Sequence, residues 1–94
     1  MISNKKIYAQ NFKVLREIVN KHDPMSLMDI APEDEYDSEV EKILANTLRL
    51  DSLLEIEKII NNIFVSNFGD DAKPAKNLYQ KIAEEWLKHK RKFN

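Results

Sequence analysis

Two histidines, five serines and a dense run of carboxylates are the residues in this chain with the chemistry to hold or transform something. His22 and His89 each fall near a predicted helix C-terminus, where the helix dipole favours a solvated imidazole. Neither has a partner at nucleophile or metal spacing. Ser3, Ser26, Ser38, Ser52 and Ser66 lack the glycine-framed elbow that activates a hydrolase serine. A phosphate-cradling loop needs several glycines, and the chain has one, Gly69. With no cysteine, neither a disulfide framework nor a thiolate zinc site can form. The carboxylates are Asp29, Glu33, Asp34, Glu35, Asp37, Glu39 and Glu41, uninterrupted by Lys or Arg. A calcium loop would need a central glycine and a bidentate glutamate at fixed distance, and this run has no such framework. No catalytic residue, cofactor or metal ligand is therefore expected, and the acidic run reads as a binding surface.

Its setting strengthens that reading. The net charge is only -1, yet residues 1–22 carry five basic residues against one acidic. Residues 23–41 carry eight acidic and no basic residues, and residues 72–94 carry seven basic against two acidic. The chain is a dipole along its sequence. Two arrangements are open for the acidic stretch: it faces a basic partner, or it lies beside the basic C-terminal helix of its own chain. The cluster Lys88-His89-Lys90-Arg91-Lys92 is expected to be a solvated, dipole-favoured helix end rather than a nucleic-acid or membrane element.

The elements that must position these groups are helices. Ninety-four residues without internal repeats make one domain, residues 1–94. Ser3 or Asn4 can cap a first helix reaching about His22, with Ile7, Tyr8, Phe12, Leu15, Ile18 and Val19 as its apolar stripe. Asp23-Pro24 interrupts it, and Pro24 to about Asp29 reads as a short helical turn that Ala31-Pro32 ends. Asp37 or Ser38 can cap the second helix, whose buried side is Val40, Ile43, Leu44, Thr47 and Leu48. Ser52 and Glu55 have capping-box spacing for a third, with Asp51 as a competing cap. Its face of Leu53, Ile56, Ile59, Ile60, Ile63, Phe64 and Phe68 is the broadest in the chain, and Gly69 stands where a left-handed terminus is wanted. Pro74 reopens a helix carrying Ala75, Leu78, Tyr79, Ile82, Ala83, Trp86 and Leu87. The expected fold is all-α, an irregular bundle of four main helices plus one short helix. The absence of Cys, of a signal-peptide pattern and of any membrane-length apolar run points to the cytoplasm.

The stretch Asp23-Pro24-Met25-Ser26-Leu27-Met28, followed by Ala31-Pro32-Glu33-Asp34-Glu35-Tyr36-Asp37-Ser38-Glu39-Val40, resembles a bacterial family of small helical proteins of unknown function. That family carries a D-P-hydrophobic-x-L segment and then A-P-x-D-E-Y-D-x-E-hydrophobic. Its members often have Gly before Ala-Pro, where this chain has Ile30. More loosely, the chain is similar to the small acidic immunity proteins that accompany secreted or contact-delivered toxins. The resemblance implies that Asp23, Pro24, Pro32 and Tyr36 build the scaffold, with Tyr36 packed and its hydroxyl bonded. Partner recognition then falls to Glu33, Asp34, Glu35, Asp37, Glu39 and Glu41, with Asp34 or Asp37 also able to cap.

The function this implies is that of a monomeric, non-enzymatic immunity protein, binding one-to-one to a toxin domain with a basic cleft and needing neither nucleic acid nor membrane. Nucleases bind phosphates and so carry basic clefts, which a carboxylate cluster can approach and block. The alternative is a stand-alone regulatory or orphan interaction module.

Overall fold

The computed structural model describes residues 4–72 and 77–93, and among the described residues it is all-helical, with no strand. Helix α1 spans Asn4–His22, α2 Asp37–Thr47, α3 Leu53–Phe68 and α4 Leu78–Phe93, with a 3₁₀ turn over Gly69–Ala72. The helices follow the expected order closely. Ser3, Pro74 and Ala75, cited above as a cap, a helix start and a stripe residue, lie outside the described residues.

The Pro24–Asp29 segment corrects one expectation: it is a series of turns and not a short helix. Asp23 and Ser26 sit at left-handed φ values of 46° and 56°, which interrupt any helical repeat. The amides of Leu27 and Met28 donate to the Asp23 carboxylate, at 2.8 and 3.2 Å, so they are spent on a side chain rather than on a helical ladder. Helix α2 brings a second correction. Its N-cap is Tyr36, with no side-chain capping bond, because the Asp37 carboxylate is engaged elsewhere. Ser52 does cap α3, its hydroxyl accepting from the Glu55 amide at 3.4 Å. Gly69 closes α3 at φ +65°, ψ −139°, a combination open to glycine and strained for other residues.

Helix α1 packs on α2 and α4, and α3 also packs on both, so the four surround one core. Phe64 of α3 lies near its centre, edge-on to Tyr36 at 5.8 Å and stacked with Tyr79 at 5.5 Å and Phe68 at 5.9 Å. Leu15, Val19, Val40, Ile43, Leu44, Ile56, Ile60, Ile82 and Trp86 complete it. The apolar stripe of α1 is buried only over its C-terminal half, and Ile7 and Tyr8 are exposed. The reason is length: 19 residues extend about 28 Å, whereas the 11 residues of α2 extend about 16 Å. Leu48, expected inside, lies just past the end of α2 and is exposed.

Candidate functional site

The acidic connection is built around one buried side chain. Tyr36 is fully buried, and its hydroxyl donates to Asp23 Oδ1 at 2.6 Å while accepting from the Met25 amide at 2.9 Å. Asp23 thus gathers the Tyr36 hydroxyl and two amides of its own turn on one carboxylate. Burial pushes the Asp23 carboxyl up, but the Tyr36 hydroxyl and the Leu27 and Met28 amides outweigh it and hold the group below its ordinary range. Burial, and then the neighbouring carboxylate, raise the Tyr36 phenol well above its ordinary value. On the other flank the Asn20 amide donates to the Glu33 carbonyl at 2.9 Å. Turn bonds from Glu35 N to the Pro32 carbonyl, 3.1 Å, and from Asp37 N to the Asp34 carbonyl, 3.0 Å, lead into α2. The backbone of residues 23–37 is therefore pinned from within.

Its carboxylates divide into two groups. Asp29, Glu33, Asp34, Glu35 and Glu41 are exposed, and among the described residues none of them forms an ion pair. Asp37 instead receives both Nε and Nη2 of Arg16, at 2.8 and 2.7 Å, in a half-buried bidentate pair joining α1 to α2. That pair explains why Asp37 does not cap its helix. Glu39 corrects the expectation of a surface acid more sharply. It is only 5% exposed, and its Oε2 accepts from the Asn67 amide of α3 at 2.6 Å. Asn67 in turn accepts from Lys42 at 3.2 Å. Oε1 of Glu39 is buried without a hydrogen-bond partner, a costly arrangement that a partner-facing residue would not need. Glu39 precedes Ile43 by one helical turn, so spacing alone placed it on the rim of the buried stripe.

The basic C-terminal helix lies elsewhere. Lys90 is 4% exposed, and its ammonium donates to the Thr47 carbonyl at 2.6 Å and to the Leu50 carbonyl. Those carbonyls close the C-terminal end of α2, whose dipole favours a cation. Burial pushes the Lys90 ammonium below its ordinary value, with Asp51 opposing. Trp86, one turn earlier, donates to the Thr47 hydroxyl at 2.9 Å, and that hydroxyl donates to the Ile43 carbonyl at 2.7 Å. Arg91 pairs with Asp51 at 2.9 Å. The acidic connection thus adjoins the start of α2 and the basic helix end adjoins its finish. They do not neutralise one another. Lys90 continues the Ile82, Ala83, Trp86 stripe at helical spacing, a signal that its charge hid.

Both histidines make contacts within the fold. His22 and Lys21 both meet the Glu85 carboxylate, tying the end of α1 to α4. Burial pushes Glu85 up, but Lys21 and His22 prevail and hold it below its ordinary value. His89 stacks on Trp86 at 5.8 Å, and burial lowers its pKa. Among the described residues no group of three or more His, Asp or Glu side chains is placed to hold a metal, and no helix is long and apolar enough to cross a membrane. Comparison with family models, with curated proteins and with solved structures gave no match.

Proposed function

We propose that this chain is a non-enzymatic binding module of the immunity type, acting in the cytoplasm of a bacterium on a toxin domain with a basic cleft, a nuclease above all. Its recognition surface is Glu33, Asp34, Glu35 and Glu41, with Asp29 beside them; Asp37 and Glu39 serve the fold. One observation carries the reading: Asp29, Glu33, Asp34 and Glu35 stand on a connection whose backbone is held by Tyr36, Asp23 and Asn20, and Glu41 follows them on α2. A charged surface that is already ordered loses little conformational freedom on binding. It also speeds encounter with a positive cleft.

The test is surface plasmon resonance against a toxin domain encoded beside this chain. The parent should bind one-to-one, and Glu33→Lys, Glu35→Lys and Glu41→Lys together should slow association by roughly tenfold or more. Raising salt should act in the same direction, because the screening length is only about 8 Å at 0.15 M. Lys88→Ala is the control and should not weaken binding. Absence of parent binding would leave an interaction module with a different partner. Loss of binding in the Lys88 variant alone would point to an acidic partner.

A further inference from the structure

We propose that the groove between the start of α3 and the end of α4 receives the acidic connection of a second copy of this chain. The groove is lined by Leu53 and Leu87, with Glu84, Lys88 and Arg91 around them. Leu54, next to Leu53, is 61% exposed. Arg91 is held in place by Asp51, and Lys88 is exposed and forms no ion pair among the described residues. The surface is apolar at its base, and its rim carries Lys88 and Arg91 together with the carboxylate of Glu84.

The acidic connection has the complementary form. Ile30 is 85% exposed between Asp29 and Glu33, and it is presented on a fixed turn. Its amide and that of Ala31 both donate to the Leu27 carbonyl, at 3.0 and 2.7 Å. A protruding apolar side chain flanked by carboxylates matches an apolar groove on which Lys88 offers a cation not taken up by an ion pair among the described residues. Within one molecule the two cannot meet, since α2 runs between the acidic connection and the corner at Leu50–Leu53. A net charge of -1 gives little long-range repulsion between copies, so the local complementarity acts unopposed.

Donor and acceptor surfaces differ, so the contact is head-to-tail and builds open chains or a closed ring rather than a two-fold dimer. The surface is small, which makes the association weak and concentration-dependent. It goes beyond the partner reading and requires no partner. A toxin bound to Glu33–Glu35 would compete with it, leaving a monomer in the one-to-one complex.

Sedimentation velocity on the full chain at low ionic strength tests this. The sedimentation coefficient should rise with protein concentration past that of a dimer. It should return to the monomer value in about 0.5 M NaCl, where screening reaches only a few ångströms. Glu35→Lys and Lys88→Glu each reverse an exposed charge, and each alone should weaken association by roughly tenfold. Mixed together, the two variants should associate again, because each then offers the other a matching surface. Ile30→Asn should weaken association without changing charge. Circular dichroism on each variant separates loss of contact from loss of fold. A monomer at every concentration, association that survives both reversals, or no recovery on mixing would overturn the proposal. The samples contain no second protein, so none of these outcomes bears on toxin binding.

Discussion

The acidic run before and into α2 and the basic run at the end of α4 look alike in sequence, each a short run of one sign, but the fold treats them differently. At the acidic end Asp37 and Glu39 are drawn inward, and Asp29, Glu33, Asp34, Glu35 and Glu41 remain outside. At the basic end Lys90 is buried against the last carbonyls of α2 and Arg91 is paired with Asp51. A charge goes inside only where hydrogen-bonding partners await it. The end of α2 and the turn after it offered Lys90 two carbonyl acceptors and a favourable dipole, and α1 offered Asp37 the fork of Arg16. The Arg16 fork is taken up by Asp37, and Glu33 and Asp34 feel it only at longer range, so they and Glu35 stay in water. Charge density therefore located the acidic surface, whereas at the basic end helical spacing was the better guide.

The comparison breaks most forcefully at Tyr36. Tyr36→Ala should cost ~3–5 kcal/mol, through loss of a buried ring together with the Asp23 hub. Tyr36→Phe, which keeps the ring and strands Asp23 and the Met25 amide, should cost ~1–3 kcal/mol. Urea denaturation measures both, and equal small losses would mean that the hub does not hold the acidic end.

Next in size is the basic end. Lys90→Ala should destabilise by ~1–3 kcal/mol, since the Leu50 carbonyl loses the ammonium and the Thr47 carbonyl keeps only the Leu50 amide. Lys88→Ala, two residues earlier and exposed, should stay within about 0.5 kcal/mol of the parent. If thermal melts show the two to be equivalent, the buried cap contributes nothing and the basic run is uniform after all.

The gentlest test is pH. Asp23 and Glu85 have folded pKa values below their ordinary 3.8 and 4.5. Their stabilisation is therefore complete above those values and is lost as pH falls through the depressed ones. Tyr36 and Tyr79 lie above their ordinary 10.0, the latter pushed up to about 12 by burial. Their contribution is full below that ordinary value and is lost as pH rises through the raised ones. Lys90, lowered by burial, acts oppositely on the alkaline side, which makes the useful measurement a difference between parent and variant. Tyr36→Phe should blunt the fall in melting temperature at both extremes, because it removes the phenol and also the donor that depresses Asp23. Identical profiles for parent and variant would sever the link between Tyr36 and Asp23.

Much of this molecule is written in the order of its residues. The apolar repeats of α1, α2 and α3, the Ser52 cap and the Gly69 terminus all follow from periodicity and local backbone preference, which act within a few residues. The acidic run is likewise plain in the sequence, whereas its two possible settings, facing outward or beside the basic C-terminal helix, were separated only by the packing of the helices. Tertiary structure decided which individual charges went inside. Whether Glu39 meets Asn67, Asp37 meets Arg16, or Lys90 reaches the Thr47 carbonyl depends on residues 21 to 43 positions apart. It also decided that Pro24–Asp29 would be turns, because the Asp23 carboxylate that takes their amides is itself held by Tyr36. Contacts between distant residues form only once the helices have docked: the local repeat records the face on which Glu39 and Lys90 stand, but not the partners they meet.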